Sequence, residues 1–195
     1  MKSKFLSGII IIILFVSSMD LKAQGWITFG STVESKLTQN KSTYKSSFCP
    51  EVEFGIRIPL SEVFGLGASG NFRWIDTGDI EWFGEQKFVW DLYFGPSFFI
   101  PFDNFDTVSG FMLKPSIGYT TSAAWFDPDV NSGSFSVMIS ADFVIHQFMI
   151  GGFWRPMKQH IEDKSSSSKY GEYMKILDFD VKPSFGIRIG YLITS

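Results

Sequence analysis

Large apolar side chains occupy alternate positions over eight stretches of this chain, and this alternation constrains the fold more than any other feature. In the second stretch, Val52 and Phe54 alternate with Glu51 and Glu53. Successive side chains of a β-strand point to opposite faces of a sheet. Each stretch therefore predicts a strand with one apolar face and one polar face. The eight predicted strands span residues 26–35, 51–60, 64–74, 88–97, 111–119, 135–145, 148–155 and 178–191.

The polar faces of these strands combine glycines with charged residues, whereas the apolar faces carry no charge. Glycine weakens an exposed strand, but it is useful where opposing side chains crowd one another. We therefore predict that the polar faces line a narrow lumen in which acidic and basic side chains pair. The predicted lumen charge network comprises Glu51, Glu53, Arg57, Arg73, Asp91, Lys114, Asp142, Arg155, Asp178, Asp180, Lys182 and Arg188.

The apolar faces are rich in Phe, Trp and Ile and form too large a patch to face water. In hydrocarbon, a closed barrel is the only sheet that satisfies all its backbone hydrogen bonds. The predicted fold is all-β, an eight-stranded antiparallel up-and-down transmembrane β-barrel. The alternative is a soluble, lipocalin-like cup with its apolar faces turned inward. Aromatic residues near the strand ends are expected in interfacial girdles, namely Trp26, Trp74, Phe88, Trp90, Trp154 and Tyr191.

The amino terminus has the features of a secretory signal peptide. Lys2 and Lys4 precede an apolar run over residues 6–16, and the small residue Ala23 marks the expected cleavage site. A retained membrane anchor is less favoured, because the run is shorter than the ~20 residues that a spanning helix needs. We expect a signal peptide over residues 1–23, one barrel domain over residues 24–195, and export to the outer membrane of a Gram-negative bacterium.

The connections between the predicted strands alternate in length. The long ones cover residues 36–48, 76–87, 124–134 and 158–175, and the short ones lie at the end that holds both termini. Outer-membrane barrels keep their short turns periplasmic, so the four long loops are expected to face outward. Four loop aromatics are predicted to lie at the outer surface: Tyr44, Trp82, Trp125 and Tyr170.

With these features, the chain resembles the small eight-stranded outer-membrane barrels of the OmpA/OmpX type and the porin-like outer-membrane β-barrel proteins. The resemblance covers nearly all of the mature chain. It rests on the architecture, on the signal peptide ending in Lys22 and Ala23, and on residues 183–191, which look like the family's insertion signal with Tyr191 as its recognised aromatic. It implies insertion by the barrel assembly machinery through the last strand. We also expect a monomer in contact with outer-membrane lipid, and the Lys/Ser-rich loops with their aromatics suit adhesion and lipopolysaccharide contact equally well.

Residues that could carry chemistry are few. His160 lies near Glu162, Asp163 and the serines of residues 165–168, a grouping that a lipid-modifying enzyme could use, but a flexible loop places catalytic groups poorly. Residues 127–133 resemble part of a calcium loop, but a proline interrupts them and no glutamate follows at the twelfth position. The only cysteine, Cys49, cannot form an internal disulfide. No metal site and no cofactor are therefore predicted.

The predicted function follows from the size of the barrel and from the absence of a catalytic motif. Eight strands enclose an interior that side chains can fill, which argues against a general diffusion pore, and a formal charge of −3 does not favour nucleic-acid binding. We predict a non-enzymatic outer-membrane protein with a structural or surface-interaction role through four extracellular loops. A narrow ion or solute channel and a lipid-modifying enzyme are the alternatives.

Overall fold

A computed structural model of the protein describes residues 23–33, 35–39, 42–46, 49–74, 88–102, 108–122, 133–164 and 176–194. Within these ranges the chain forms twelve β-strands. No helix in the described ranges is long and apolar enough to span a membrane. Residues 1–22 of the predicted signal peptide lie outside the described residues.

Eight of the strands close into one barrel, which confirms the predicted fold class. Neighbouring barrel strands are antiparallel, and the barrel closes because the first strand pairs with both the second and the last of these eight. The barrel strands are β1 (Gln24–Thr32), β4 (Cys49–Pro59), β5 (Phe64–Trp74), β6 (Phe88–Pro101), β7 (Gly110–Ser122), β8 (Gly133–Ile145), β9 (Phe148–Arg155) and β12 (Ser184–Thr194).

Side chains of the barrel wall alternate between a buried interior and an exposed apolar exterior. In β12, Gly186 and Arg188 are buried, whereas Ile187 and Ile189 are 66% and 51% exposed. This alternation confirms the predicted inward and outward register. The exterior apolar side chains that are about half exposed or more include Phe29, Phe54, Ile56, Phe94, Ile117, Phe135, Phe143, Ile150, Trp154, Phe185, Ile187 and Ile189.

The predicted eighth strand is wrong at its start. Instead of running without interruption over residues 178–191, the chain forms β11 (Ile176–Val181), leaves the strand at Lys182 and Pro183, and begins β12 at Ser184. Proline has no backbone N–H to donate to a neighbouring strand. The break allows β11 to pair outside the barrel while β12 completes the barrel wall. Strand β1 likewise ends at Thr32 rather than at the predicted residue 35.

A second sheet extends the chain beyond the barrel at the end of the long connections. It contains β2 (Ser35–Gln39), β3 (Ser42–Ser46), β10 (Gln159–Lys164) and β11, in the order β10-β11-β2-β3. The predictions of loops over residues 36–48 and 158–175 are therefore wrong where these strands lie. Where neighbouring chain segments continue beyond the barrel, their backbone N–H and C=O groups form hydrogen bonds with one another. We refer to these four strands as the outer sheet.

The opposite end of the barrel is held by tight turns. His146 and Gln147 form the predicted two-residue turn, with φ angles of 52° and 71°, as a type I′ hairpin requires. The Gln147 carbonyl accepts a bond from the Leu192 N–H at 2.8 Å, and its side-chain Nε2 donates to Thr194 Oγ1 at 2.8 Å. These contacts tie the turn to the last strand, which runs past Tyr191 to Thr194.

Candidate functional site

The barrel interior holds nine of the charged side chains predicted to line it. Each is at most 5% exposed, and together they are Glu51, Glu53, Arg57, Arg73, Asp91, Lys114, Asp142, Arg155 and Arg188. Two further predictions were wrong in placement: Asp180 belongs to the outer sheet, and Lys182 is exposed at the break before β12. The displacement follows from the break at Pro183, which removes this segment from the barrel. The side chain of Asp178 lies outside the described residues.

Four of the interior charges form a layer near the end that carries the outer sheet. Arg73 Nε lies 2.7 Å from Asp91 Oδ2, and Arg155 Nη2 lies 3.0 Å from Glu51 Oε2. Arg155 Nη2 also lies 3.9 Å from Asp91 Oδ2, which joins the two pairs. Two acids face two bases, so the layer is electrically neutral. We refer to these four residues as the outer charge layer.

A second neutral group of four lies deeper in the barrel. Arg188 donates through Nε and Nη2 to the two oxygens of Asp142, at 2.8 Å and 2.6 Å, and its Nη1 donates to Glu53. Lys114 Nζ lies 3.8 Å from Glu53 and 3.7 Å from Asp142. A bidentate arginine–carboxylate pair is among the strongest geometries for buried charges. We refer to these four residues as the inner charge layer.

Glycines of the wall give the inner charge layer its room. A Cβ at Gly151 would lie 2.5 Å from Asp142 Oδ1, and one at Gly30 would lie 2.9 Å from Arg188 Cβ. Both distances are shorter than real Cβ contacts allow. Backbone oxygens of the neighbouring strands lie closer still, Ala141 O at Gly151 and Ile187 O at Gly30, so close strand approach together with crowding in the lumen accounts for these two glycines.

Below the inner charge layer, an apolar cluster fills the barrel at the end of the tight turns. Trp26 was predicted to lie in an interfacial girdle, and that prediction is wrong: its side chain is 3% exposed, and its Nε1 donates to Glu53 at 3.1 Å. Lys114 Nζ lies 3.9 Å from the centre of the Trp26 ring. The cluster, which we call the apolar plug, comprises Trp26, Phe99, Met112, Val144, Met149 and Leu192.

At the other end, Gln159 of β10 caps the outer charge layer. Its Nε2 donates to Thr120 Oγ1 at 2.8 Å and to Ser136 Oγ at 2.5 Å, and its Oε1 accepts from Arg73 Nη2 at 2.7 Å. Gln159 is 1% exposed although it lies in a segment predicted to be a loop. A cavity of about 10 Å³ borders Lys114, which is room for about one water molecule. Between the apolar plug and Gln159, the described interior is therefore filled.

The outer sheet carries an ionic cluster on the face away from Gln159. His160 Nδ1 lies 3.1 Å from Asp180 Oδ1, and Lys158 Nζ lies 2.6 Å from Asp180 Oδ2. Partial burial raises the pKa of Asp180, but the hydrogen bonds from Lys158 and His160 outweigh it, and the net pKa lies below the usual 3.8. Sequence reasoning had grouped His160 with neighbours in its own segment. The partner that the structure places beside it comes from the next strand.

Several other predicted features can be located only in part. Tyr44 lies in β3, whereas Trp82, Trp125, Tyr170, residues 127–132 and the serines of residues 165–168 lie outside the described residues. Trp74, Trp154 and Tyr191 have exposed rings at the strand ends, as predicted for a girdle. Within the described ranges, no three His, Cys, Asp or Glu side chains come together in a group that could hold a metal ion.

The closed eight-stranded barrel, with charge inside and apolar side chains outside, confirms the predicted resemblance to small outer-membrane barrels at the level of the fold. No protein family and no curated protein sequence matches the chain.

Solved structures similar to this chain include three bacterial proteins. One is Ail, the attachment invasion locus protein of Yersinia pestis, with 12% identity over 90% of this chain and 100% of that chain and a TM-score of 0.41. The neisserial surface protein NspA has 13% identity over 89% of this chain and 97% of its own, with a TM-score of 0.39. The outer membrane protein AlkL, solved in DMPC bilayers, has 10% identity over 91% and 94%, with a TM-score of 0.39.

Proposed function

We propose that this protein is a non-enzymatic, integral outer-membrane barrel that acts through the surface it presents outside the membrane. The observation that carries the proposal is the filled interior: two neutral charge layers lie between the apolar plug and the cap formed by Gln159. An interior in this state offers solutes no path from one end of the barrel to the other. The parts left for function are the lipid-facing wall and the outer sheet with its connections.

The distribution of polarity supports a place in lipid. Half-exposed Phe, Ile and Trp side chains cover the exterior of the barrel, while nine charged side chains are buried within it. Such an exterior would aggregate in water, whereas a closed barrel with an apolar band is stable in a bilayer. The expected location is the outer membrane, with the tight turns facing the periplasm.

Electrical recording tests the sealed interior. Purified protein reconstituted in a planar bilayer is expected to show no unitary current at any voltage, because two charge layers and the apolar plug block the lumen. A general porin incorporated into the same membranes serves as the positive control. Steady unitary currents that appear only in membranes containing the wild-type protein would favour the channel alternative.

The outer sheet offers a surface suited to phosphate groups. The Lys182 N–H donates to the Lys36 carbonyl at 2.9 Å, and Lys36 is in register with Lys45. Gln159 of β10 and Val181 of β11 are register partners. Lys158 directly precedes Gln159 and Lys182 directly follows Val181, so these two lysines are neighbours at the ends of the two strands. Four lysines thus follow one another across the four strands. Lys158 of this row is paired with Asp180 at 2.6 Å, and an anionic group outside the sheet would add a second partner for the row.

The height of this lysine row supports outer-leaflet lipopolysaccharide as the partner. Lys182 lies three residues beyond Phe185, an exposed apolar side chain at the edge of the wall. Three extended residues cover about 10 Å along the chain, or about 7 to 8 Å along the membrane normal at the tilt of barrel strands, roughly the depth of a headgroup layer beyond the hydrocarbon. The amines would therefore lie near the phosphates of the glycolipid that surrounds the barrel.

Lipid A provides a direct test of this contact. Bisphosphorylated lipid A is expected to raise the unfolding temperature of the detergent-solubilised wild type by several degrees, and dephosphorylated lipid A to have little effect. A triple variant, Lys36→Gln, Lys158→Gln and Lys182→Gln, should lose most of the difference. Glu62→Gln at the opposite end of the barrel is the matched control. An equal response from the triple variant would reject the lysine row as the contact.

A lipid-modifying enzyme is the second candidate, because an acid-paired histidine can activate a nucleophile. The pair of His160 and Asp180 is also joined by Lys158, as expected of an ionic cluster that holds two strands together. We therefore expect that His160→Ala leaves the lipid A composition of cells unchanged. A changed acylation pattern, restored by the wild-type gene, would favour the enzyme.

A further inference from the structure

Arg57 differs from every other buried cation in the part of the barrel that the structure describes. Lys114 and the arginines of the two charge layers each lie within 4.0 Å of a carboxylate, whereas Arg57 has none at that distance. Its Nη1 donates to Gln24 Oε1 at 2.9 Å, its Nη2 lies 3.4 Å from the Val63 carbonyl oxygen, and its Nε has no hydrogen-bond partner. The side chain is 1% exposed.

The lack of a neighbouring carboxylate within the described residues is unusual, because the other buried cations of the described interior are balanced. Each charge layer contains two acids and two bases, so Arg57 is the one described buried cation that belongs to neither neutral layer. An ion buried without compensation costs several kcal/mol. Neutral partners such as the amide of Gln24 offset only part of that cost. The Arg57 guanidinium, which has no carboxylate within 4.0 Å among the described residues and an unpartnered Nε, can therefore accept a further anionic partner.

A cavity suited to that anion adjoins Arg57. It has a volume of about 400 Å³ and opens at the end of the barrel that carries the tight turns. Phe99, Phe102 and Val108 give it an apolar wall, and Arg57 lies on its polar side. The carboxylate of Glu62, which is exposed, lies at the same cavity.

The lining decides which class of anion fits. A guanidinium binds a carboxylate through two parallel hydrogen bonds, and a single guanidinium neutralises a single negative charge. The neighbouring Glu62 carboxylate disfavours ligands with two or more charges, such as inorganic phosphate. The aromatic and aliphatic wall gains free energy from contact with a short apolar chain.

We propose that this cavity is a binding site for a small monocarboxylate with a short apolar chain, which enters from the periplasmic side and pairs with Arg57. The site lies at the tight-turn end of the lumen and uses neither the outer sheet nor the two charge layers, so it is independent of the surface function proposed above. The carboxylate could come from a free acid or from the end of a peptide. The two sources share the same anionic group, and different probes distinguish them.

Titrations followed by amide NMR test the site on the full mature chain in lipid nanodiscs. Hexanoate is expected to shift the backbone amides of Phe99, Val108 and Ser109 in a saturable manner. Hexanol, which lacks the charge, and inorganic phosphate, which lacks the apolar chain, should bind at least about tenfold more weakly. Tighter binding of N-acetylleucine than of hexanoate would identify a peptide carboxylate as the source, and the reverse order a free acid.

Variants of the polar side of the cavity complete the test. Arg57→Gln should weaken hexanoate binding at least about tenfold, Arg57→Lys should weaken it less, and Lys182→Gln at the far end should leave it unchanged. Glu62→Gln should tighten binding, and it provides an independent test if Arg57→Gln fails to fold. An absence of saturable shifts, or equal binding by the wild type and Arg57→Gln, would overturn the proposal.

Discussion

Glu53 illustrates how a single buried carboxylate holds several parts of the barrel together. It accepts hydrogen bonds from Arg188 and from Trp26 and lies 3.8 Å from Lys114 Nζ. Four strands, β1, β4, β7 and β12, therefore meet at one side chain. Its removal leaves two buried cations with one acid.

Glu53→Gln is expected to lower the free energy of unfolding by about 3 to 5 kcal/mol, because it leaves an uncompensated charge in the inner charge layer. Urea unfolding of the protein in lipid vesicles, followed by tryptophan fluorescence, measures the change. A second variant that also carries Lys114→Met restores neutrality and should recover part of the loss. A loss as small as that of Glu62→Gln, which changes an exposed acid, would contradict the inner charge layer.

Ile189 tests the outward face of the wall. It is 51% exposed, lies midway along β12, and is in register with Phe29 and Ile150. In a bilayer, Ile189→Arg should destabilise the barrel by about 2 to 4 kcal/mol, measured by the same unfolding assay. Ile189→Leu is the control and should change little. If the arginine variant were as stable as the leucine variant, this face would not contact hydrocarbon.

At this scale, sequence alternation predicted which charges turn inward from Glu51 to Arg155, because those residues lie within uninterrupted strands. It did not predict the apolar plug. Met112 and Leu192 occupy inward positions. The sequence pattern alone does not indicate that apolar residues at such positions pack together into a plug. Trp26 was misplaced for a related reason: its position before Ile27 already implied an inward side chain, while its residue type suggested the interface.

Among the elements, the outer sheet is the part that could not be predicted from the strand propensity of its residues alone. Strands β2, β3, β10 and β11 are short, and their pairing depends on the positions of the barrel strands from which they emerge. Pro183 was a visible signal for the end of β11, since proline is disfavoured within a paired strand. The penetration of Gln159 into the barrel is a tertiary contact without a local sequence signature.

Gln159→Ala is expected to loosen β10 and to expose the outer charge layer, because it removes the acceptor for Arg73 and the donor for Thr120 and Ser136. Hydrogen exchange should accelerate in β10 and β11 while the barrel strands β1 and β12 change little. Lys182→Gln, which changes an exposed side chain beside the outer sheet, is the control. Equal exchange in wild type and Gln159→Ala would mean that the cap does not hold the sheet.

The ionic cluster of the outer sheet gives a prediction for pH. The folded-state pKa of Asp180 lies below the usual 3.8, so its pairing stabilises the sheet above that pH and is lost as the pH falls through the folded-state value. Proteolysis of the outer sheet by an acid-active protease should therefore accelerate below pH 3.8. In Asp180→Asn this acid-dependent step should be absent, and persistence of the full step would assign it to another group.

For the whole molecule, the closed barrel was predictable because its strands repeat one simple pattern and their number allows antiparallel closure. The charge balance of the interior was predictable in sign but not in arrangement. The predicted network contained six acids and six bases, whereas the structure divides its inward members into two neutral layers and the single cation Arg57. That division depends on the register between strands distant in sequence, such as Glu53 and Arg188.

The central claim is that this chain is a self-contained barrel with its apolar face in the outer membrane. The most direct test separates the inner membrane, outer membrane and periplasm of expressing cells and compares boiled with unboiled samples on a gel. We predict that the protein is found in the outer-membrane fraction and that its mobility changes only on boiling, because the closed barrel resists detergent until heated. Recovery of the mature protein in the periplasm, with the same mobility before and after boiling, would contradict the claim.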